Sequence, residues 1–259
     1  MNKTGLIFLL FSLLIMEACI MALVEYPGEY PKADEFHKTV LFEPGGTFSL
    51  TNFDGNIEIT GWEKEEVEVY AEKFVDRPMQ SRIRFLWKDR SVPKVNFENY
   101  DDFIKVSTRA PSKEGALVDY FIHVPRSIHL EDIIARSGRI FISDLYGSAF
   151  AELADGDIEV ENFSGSLTAS VTHGSITAAL YDMKNGDEVI LKCREGNVTV
   201  FLQEGIHAFL RAEAPNGQIA DEFQLERKNE NFIDTQIGEG GAEIRITALN
   251  GNIRINRIQ

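Results

Sequence analysis

Histidine, cysteine and tryptophan are scarce in this chain of 259 residues: five, two and two. None of His37, His123, His129, His173 and His207 lies four residues from another, and no cysteines cluster. A zinc site is therefore not expected, and neither is any other metal or cofactor. Basic residues are in deficit, 26 against 41 acidic, a net charge of −15. That balance excludes nucleic acid as a partner, because neutralising phosphates requires a basic surface. It also disfavours direct adsorption to anionic headgroups. The excess negative charge serves solubility, or the capture of cations and basic partners. Long apolar runs are limited to residues 5–16, GLIFLLFSLLIM, which is short for a bilayer span.

That run follows Lys3 and precedes Glu17, Ala18 and Cys19, the layout of an export signal. Residues 1–18 are read as a lipoprotein-like signal peptide, 19–39 as a linker and 40–259 as the folded domain. Cys19 stands where bacterial lipoproteins carry their lipid-modified cysteine, with the small Ala18 before it. Glu17 departs from that pattern. Three fates fit: lipid anchoring at Cys19, which the spacing favours; cleavage near Ala22 and release; or an uncleaved anchor. The expected location is the cell envelope, membrane-attached through the lipid. With Cys19 modified, Cys193 has no disulfide partner. Cys193 alternates with Val189 and Leu191, so it reads as a small core residue.

Glycine is regular rather than abundant. Gly138, Gly147, Gly156, Gly165 and Gly174 follow one another at steps of nine, and the rhythm resumes at Gly186, Gly196, Gly205 and Gly217. Such a short period takes precedence over other features. Within the blocks apolar residues alternate: Ile140 and Ile142, Ile158 and Val160, Leu167 and Ala169, Ile176 and Ala178, Val198 and Val200. Period two means strands with one buried face. Two nine-residue blocks would form an 18-residue coil, and stacked coils would pair strand on strand in parallel. The expectation is an all-β, single-domain parallel β-solenoid, β-helix- or β-roll-like, with a more irregular N-terminal portion. The irregular part is 40–125, with an excursion at 75–100; the regular repeats are 126–259. An antiparallel meander is the competing topology. Residues 102–110 and 118–125 read as two strands that could pair through the polar PSKEG. Residues 223–236 read as a loop or short helix leaving the stack, and the last strands as a cover for its open end.

The runs TNFDGNIEITGW, YFIHVP, SGRIFISDLYG, DGDIEVENFSG, HGSITAAL, EGNVTVFL and NGNIRI resemble the bacterial putative-adhesin β-repeat family. The resemblance covers roughly residues 40–259. It implies an exported β-solenoid of undefined ligand, and it brings no catalytic residues.

Catalytic chemistry finds no footing in the repeats. Calcium β-rolls need an acidic ligand at successive corners, and here only Asp155 and Asp157 qualify. A glycan-active β-helix enzyme needs two carboxylates facing across a cleft. Outward residues on adjacent coils, such as Glu159 and Thr177, make no repeated acid–base set. The chain is therefore expected to be a non-catalytic envelope binding or adhesion module, its ligand a protein or a glycan. A self-associating scaffold, hence a homo-oligomer, and a glycan-active enzyme are the alternatives. The candidate binding surface is Arg82, Arg84, Phe85, Trp87 and Arg90, where arginine and aromatic residues gather in an otherwise acidic chain. Trp62, Phe97, Tyr100 and Phe103 belong to the same aromatic-rich half.

Overall fold

The computed structural model describes residues 32–75, 92–109 and 115–258. Those residues are all-β, with 17 strands joined in a largely parallel mixed sheet. No helix occurs among them.

The pairings fall into two ladders. The first runs from β1 (Lys32–Leu41) to β4 (Glu66–Val75), β7 (Ala116–Pro125), β3 (Ile57–Trp62) and residues 140–143 of β8 (His129–His173). From residues 158–163 of β8 it continues through β9 (Ile176–Leu180), β11 (Val198–Leu202), β17 (Ile253–Arg257) and β13 (Ile219–Asp221). The second begins at β5 (Lys94–Asn99), β6 (Phe103–Arg109), β2 (Thr47–Thr51) and residues 129–134 of β8. Residues 167–173 of β8 lead on to β10 (Glu188–Glu195), β16 (Ala242–Asn250), β12 (Ala208–Glu213), β15 (Phe232–Ile237) and β14 (Arg227–Asn229). All pairings are parallel except those at the ends, β1–β4, β4–β7, β5–β6, β12–β15 and β14–β15.

Alternation explains the core. Tyr120, Ile57, Ile140, Ile158, Ile176, Val198, Ile253 and Ile219 occupy matching positions of the first ladder, none more than 3% exposed. In the second, Leu167, Val189, Ile244 and Leu210 match in the same way. Each inward side chain contributes about 1.5–3 kcal/mol by leaving water. Cys193 faces inward with Val189 and Leu191, as its alternation required. Across the core Thr108 of β6 bonds the Tyr120 hydroxyl at 2.6 Å. Burial pushes that phenol up to about 12.

The nine-residue glycine step resolves into two columns of 18. A Cβ on Gly156 would meet the Gly138 oxygen, and one on Gly174 the Gly156 oxygen, each at 1.8 Å. Gly165 stands in the same relation to the Gly147 oxygen at 2.0 Å. The first column extends from Gly55 through Gly138, Gly156, Gly174, Gly196 and Gly251 to Gly217. Beside it runs a polar ladder. The Arg139 N–H donates to Asn56 Oδ1 (3.0 Å), Ser175 N–H to Asp157 Oδ1 (2.8 Å), Asn252 N–H to Asn197 Oδ1 (2.9 Å) and Gln218 N–H to Asn252 Oδ1 (3.0 Å). Short Asp and Asn side chains thus hold successive corners together. Asp155 Oδ1 accepts from the His173 Nδ1–H at 2.9 Å in the tautomer that carries the proton there.

Asp119 starts this ladder, accepting from the Asn56 N–H at 2.7 Å. Burial raises its carboxyl pKa above the usual range, and the neighbouring Glu72 adds to the rise. A carboxyl that is harder to ionise when folded costs stability as pH rises past its unfolded value of about 3.9. Asp119→Asn keeps the acceptor and removes the charge. Its melting temperature at pH 7 is expected to exceed the parent's by a few degrees. The difference should shrink towards pH 4, and a lower melting temperature at pH 7 would contradict the assignment.

Four expectations need correction. The 32–39 part of the segment read as linker forms most of β1. Strands β6 and β7 do not pair; they are consecutive legs in different ladders, with β2 and β3 beside them. The interruption at 223–236 contains no helix: β14 and β15 form an antiparallel pair, and β15 returns onto β12. The last strands do not cover an open end, because β16 lies between β10 and β12, and β17 between β11 and β13. The cover is β14 and β15, helped by Arg227, which pairs with the nearly inaccessible Asp221 side chain and donates to the Ile219 carbonyl at 2.7 Å. Residues 222–241, which hold β14 and β15, carry the chain from β13 to β16, so that β16 and β17 lie inside β12 and β13.

Candidate functional site

Residues 82, 84, 85, 87 and 90, the binding surface anticipated from sequence, lie outside the described residues, as does Cys19. The other aromatics of that half do not converge. Phe97 turns to the core and meets Phe36 with ring centroids 6.2 Å apart. Tyr100 stacks on Phe103 at 6.1 Å in the second ladder. Trp62, in the first, is sandwiched: His123 stacks on it at 5.0 Å, Lys64 sits 4.1 Å from its ring centroid, and its N–H donates to the Glu66 carbonyl.

A groove on the outer face of the second ladder gathers more chemistry. It encloses about 430 Å³ over β15, β12 and β16. Parallel and antiparallel registers there align two rows of outward side chains. Gln236, Phe209 and Glu243 form one row; Asp234, Arg211 and Arg245 form the other. Phe209 is 51% exposed, and its ring lies against the backbone of Gly240. A smaller depression of about 150 Å³ adjoins it, sharing Arg211 and Arg245 and adding Lys192 and Glu213.

Two guanidinium groups opposite one another repel, which makes such a pair destabilising on a bare sheet. Acids hold both in place. Arg211 donates through Nε to Glu213 Oε1 at 2.7 Å and lies 5.1 Å from the Phe232 ring. Arg245 is clamped by Glu188 on one side and Glu243 on the other. Asp234 pairs with Lys228 at 2.6 Å, and that bond holds its carboxyl below the ordinary aspartate range. The surface therefore offers planar donors and acceptors at fixed positions beside one exposed ring. Such an arrangement binds polar, multiply hydroxylated or anionic groups and gives an apolar face something to lie on. Asp234, held ionised by Lys228, is in the wrong state for a proton donor.

A sequence signal for this groove existed. Along the second ladder Thr168 and Ile190 stand in register with Arg245 and Arg211, so charge enters that position only in the late strands. What the sequence did not reveal is that residues 211 and 245 sit opposite one another, because the last coil enters the stack out of order.

Residues 128–256 match the family model described as Toastrack DUF4097. No curated protein matches the chain. Among solved structures, a "putative cell adhesion protein" from Clostridium sporogenes ATCC 15579 is 17% identical, covering 87% of this chain and 100% of its own, with a TM-score of 0.47. A "putative adhesin" from Bacteroides fragilis NCTC 9343 is 13% identical over 89% of this chain and 100% of its own, with a TM-score of 0.26. A "putative lipid binding protein" from Parabacteroides distasonis ATCC 8503 is 10% identical over 88% and 98%, with a TM-score of 0.27. Through residues 128–256, the chain belongs to the Toastrack DUF4097 family.

Proposed function

We propose that this protein is a non-catalytic binding module of the bacterial cell envelope, a parallel β-solenoid that presents the β15–β12–β16 groove to a glycan chain. The 18-residue glycine columns and the matched registers support the solenoid reading. One observation carries the ligand class: Arg211 and Arg245 face each other beside the exposed Phe209. In a chain of net charge −15, maintaining two opposed arginines at one spot is a specific arrangement. Forked guanidinium donors suit vicinal hydroxyls, carboxylates and phosphates of an envelope polysaccharide, and the ring suits a sugar face. The neutralised acids of the groove favour holding over cleaving. Envelope location is part of the proposal and rests on the signal layout that ends at Cys19; attachment there would hold the groove close to wall polymers.

Binding of the full chain to isolated envelope polysaccharide tests this. Phe209→Ala and Arg211→Ala are each expected to weaken it about tenfold or more, with melting temperatures little changed because both side chains face outward. Full affinity in both variants would overturn the groove as the recognition surface.

A further inference from the structure

The two ends of the stack are built differently. At one end β13 and β14 have three residues each, and Arg227 covers the terminal Asp221. At the other end stand β1, with ten residues, and β5, with six. Among the described residues each of these pairs on one side only, β1 with β4 and β5 with β6. Between them Phe36, Val40, Val95 and Phe97 close the core and stay only partly buried. A long edge strand presents a row of backbone donors and acceptors to any chain that can pair with it.

The register with β4 fixes which side of β1 faces the core. Asp34, Phe36, Lys38 and Val40 lie opposite the buried Lys73, Ala71, Val69 and Val67, so their side chains share the core side. Glu35, His37 and Thr39 lie on the outer side. A second copy that extends both ladder and core must keep its own core side aligned with the first. In antiparallel pairing of β1 with itself, residues of the same parity must then face each other. Three central registers satisfy this. With Glu35 opposite Glu35, two like charges meet at the centre, and a bulge between Lys32 and Asp34 turns Lys32 to the outer side, away from Lys38. With His37 opposite His37, no charges pair. With Phe36 opposite Phe36, Asp34 opposes Lys38 and Glu35 opposes His37, and by symmetry each pair occurs twice. Lys38 has no ion-pair partner within its own chain among the described residues. Cross-strand pairs of opposite charge stabilise a sheet, and like pairs destabilise it.

We propose that the protein forms a head-to-head dimer in which β1 pairs antiparallel with β1 of a second copy, centred on Phe36. The Asp34–Lys38 and Glu35–His37 pairs select the register, and the half-covered phenylalanines and valines at the two ends are buried together. The dimer would join two stacks into one and place the two glycan grooves far apart, near its outer ends. This proposal stands independently of the groove's ligand.

Sedimentation velocity of the full chain in a mild non-ionic detergent, over a range of concentrations, tests it. The parent is expected to show a monomer–dimer equilibrium. Lys38→Glu sets like charges opposite each other twice and is expected to weaken the dimer at least about tenfold, with an unchanged melting temperature. Glu35→Lys and His37→Glu should each be weakened alone, yet an equimolar mixture of the two should regain dimer, because the charges again complement across the interface. A parent that stays monomeric, a dimer indifferent to Lys38→Glu, or a mixture no tighter than its separate components would each overturn the proposal.

Discussion

Gly156→Ala is expected to lose most of the protein's stability. Two costs coincide at this corner. Gly156 has φ +132°, a conformation that L side chains rarely adopt. Its Cβ would also stand 1.8 Å from the Gly138 oxygen, which is backbone and cannot rotate away. Either the coil lifts off its neighbour and breaks the ladders above and below, or the corner unwinds. The combined penalty is expected to exceed about 4 kcal/mol, lowering the melting temperature by 10 °C or more. Gly186→Ala is the control. Gly186 also has positive φ, +95°, but nothing lies within 4 Å of its added carbon. It should cost only about 1–2 kcal/mol of backbone strain. Equal melting temperatures for the two variants would mean that the coils do not touch at Gly138 and Gly156.

Ile158→Asp is expected to be at least as damaging. Ile158 is 1% exposed and directly pairs with Ile176, in a column that runs the length of the first ladder. The substitution forfeits roughly 1.5–3 kcal/mol of burial and places a carboxylate where it has no partner. The protein should fail to accumulate in folded form, as judged by circular dichroism and a melt. The adjacent outward residue gives the contrast. Glu159→Lys removes an ion pair with Arg139 on the surface, worth no more than about 1 kcal/mol. It also removes a neighbour that adds to the burial-driven rise in the Glu161 carboxyl pKa. Comparable losses at 158 and 159 would invert the assigned faces.

Strand character, the inward face and the nine-residue rhythm were legible in sequence because each is local. Period-two alternation decides which side of Ile158 or Val198 is buried, and glycine at a corner reports a backbone angle. The pairing of Ile158 with Ile176 followed from the same arithmetic. The order of the coils did not, because it depends on where long connections return. Residues 253–257 repeat the pattern of 198–202 and 219–221 equally well, so nothing local says that β17 lies between those two strands. The antiparallel ends were hidden for a related reason: β1 and β15 carry few buried residues, so they resemble linkers in sequence. The groove inherits both difficulties. Its aromatic and basic residues are visible in the sequence, but their juxtaposition is created by the late insertion of β16 beside β12.

The most direct test of the binding account is hydrogen–deuterium exchange of the full chain, with and without isolated envelope polysaccharide at saturating concentration. Slower exchange is expected at 208–213, 232–237 and 242–247, the strands under the groove, with little change along β9, β11 and β17 on the opposite ladder. Protection confined to 82–90, or bound polysaccharide that leaves the groove strands unprotected, would contradict it.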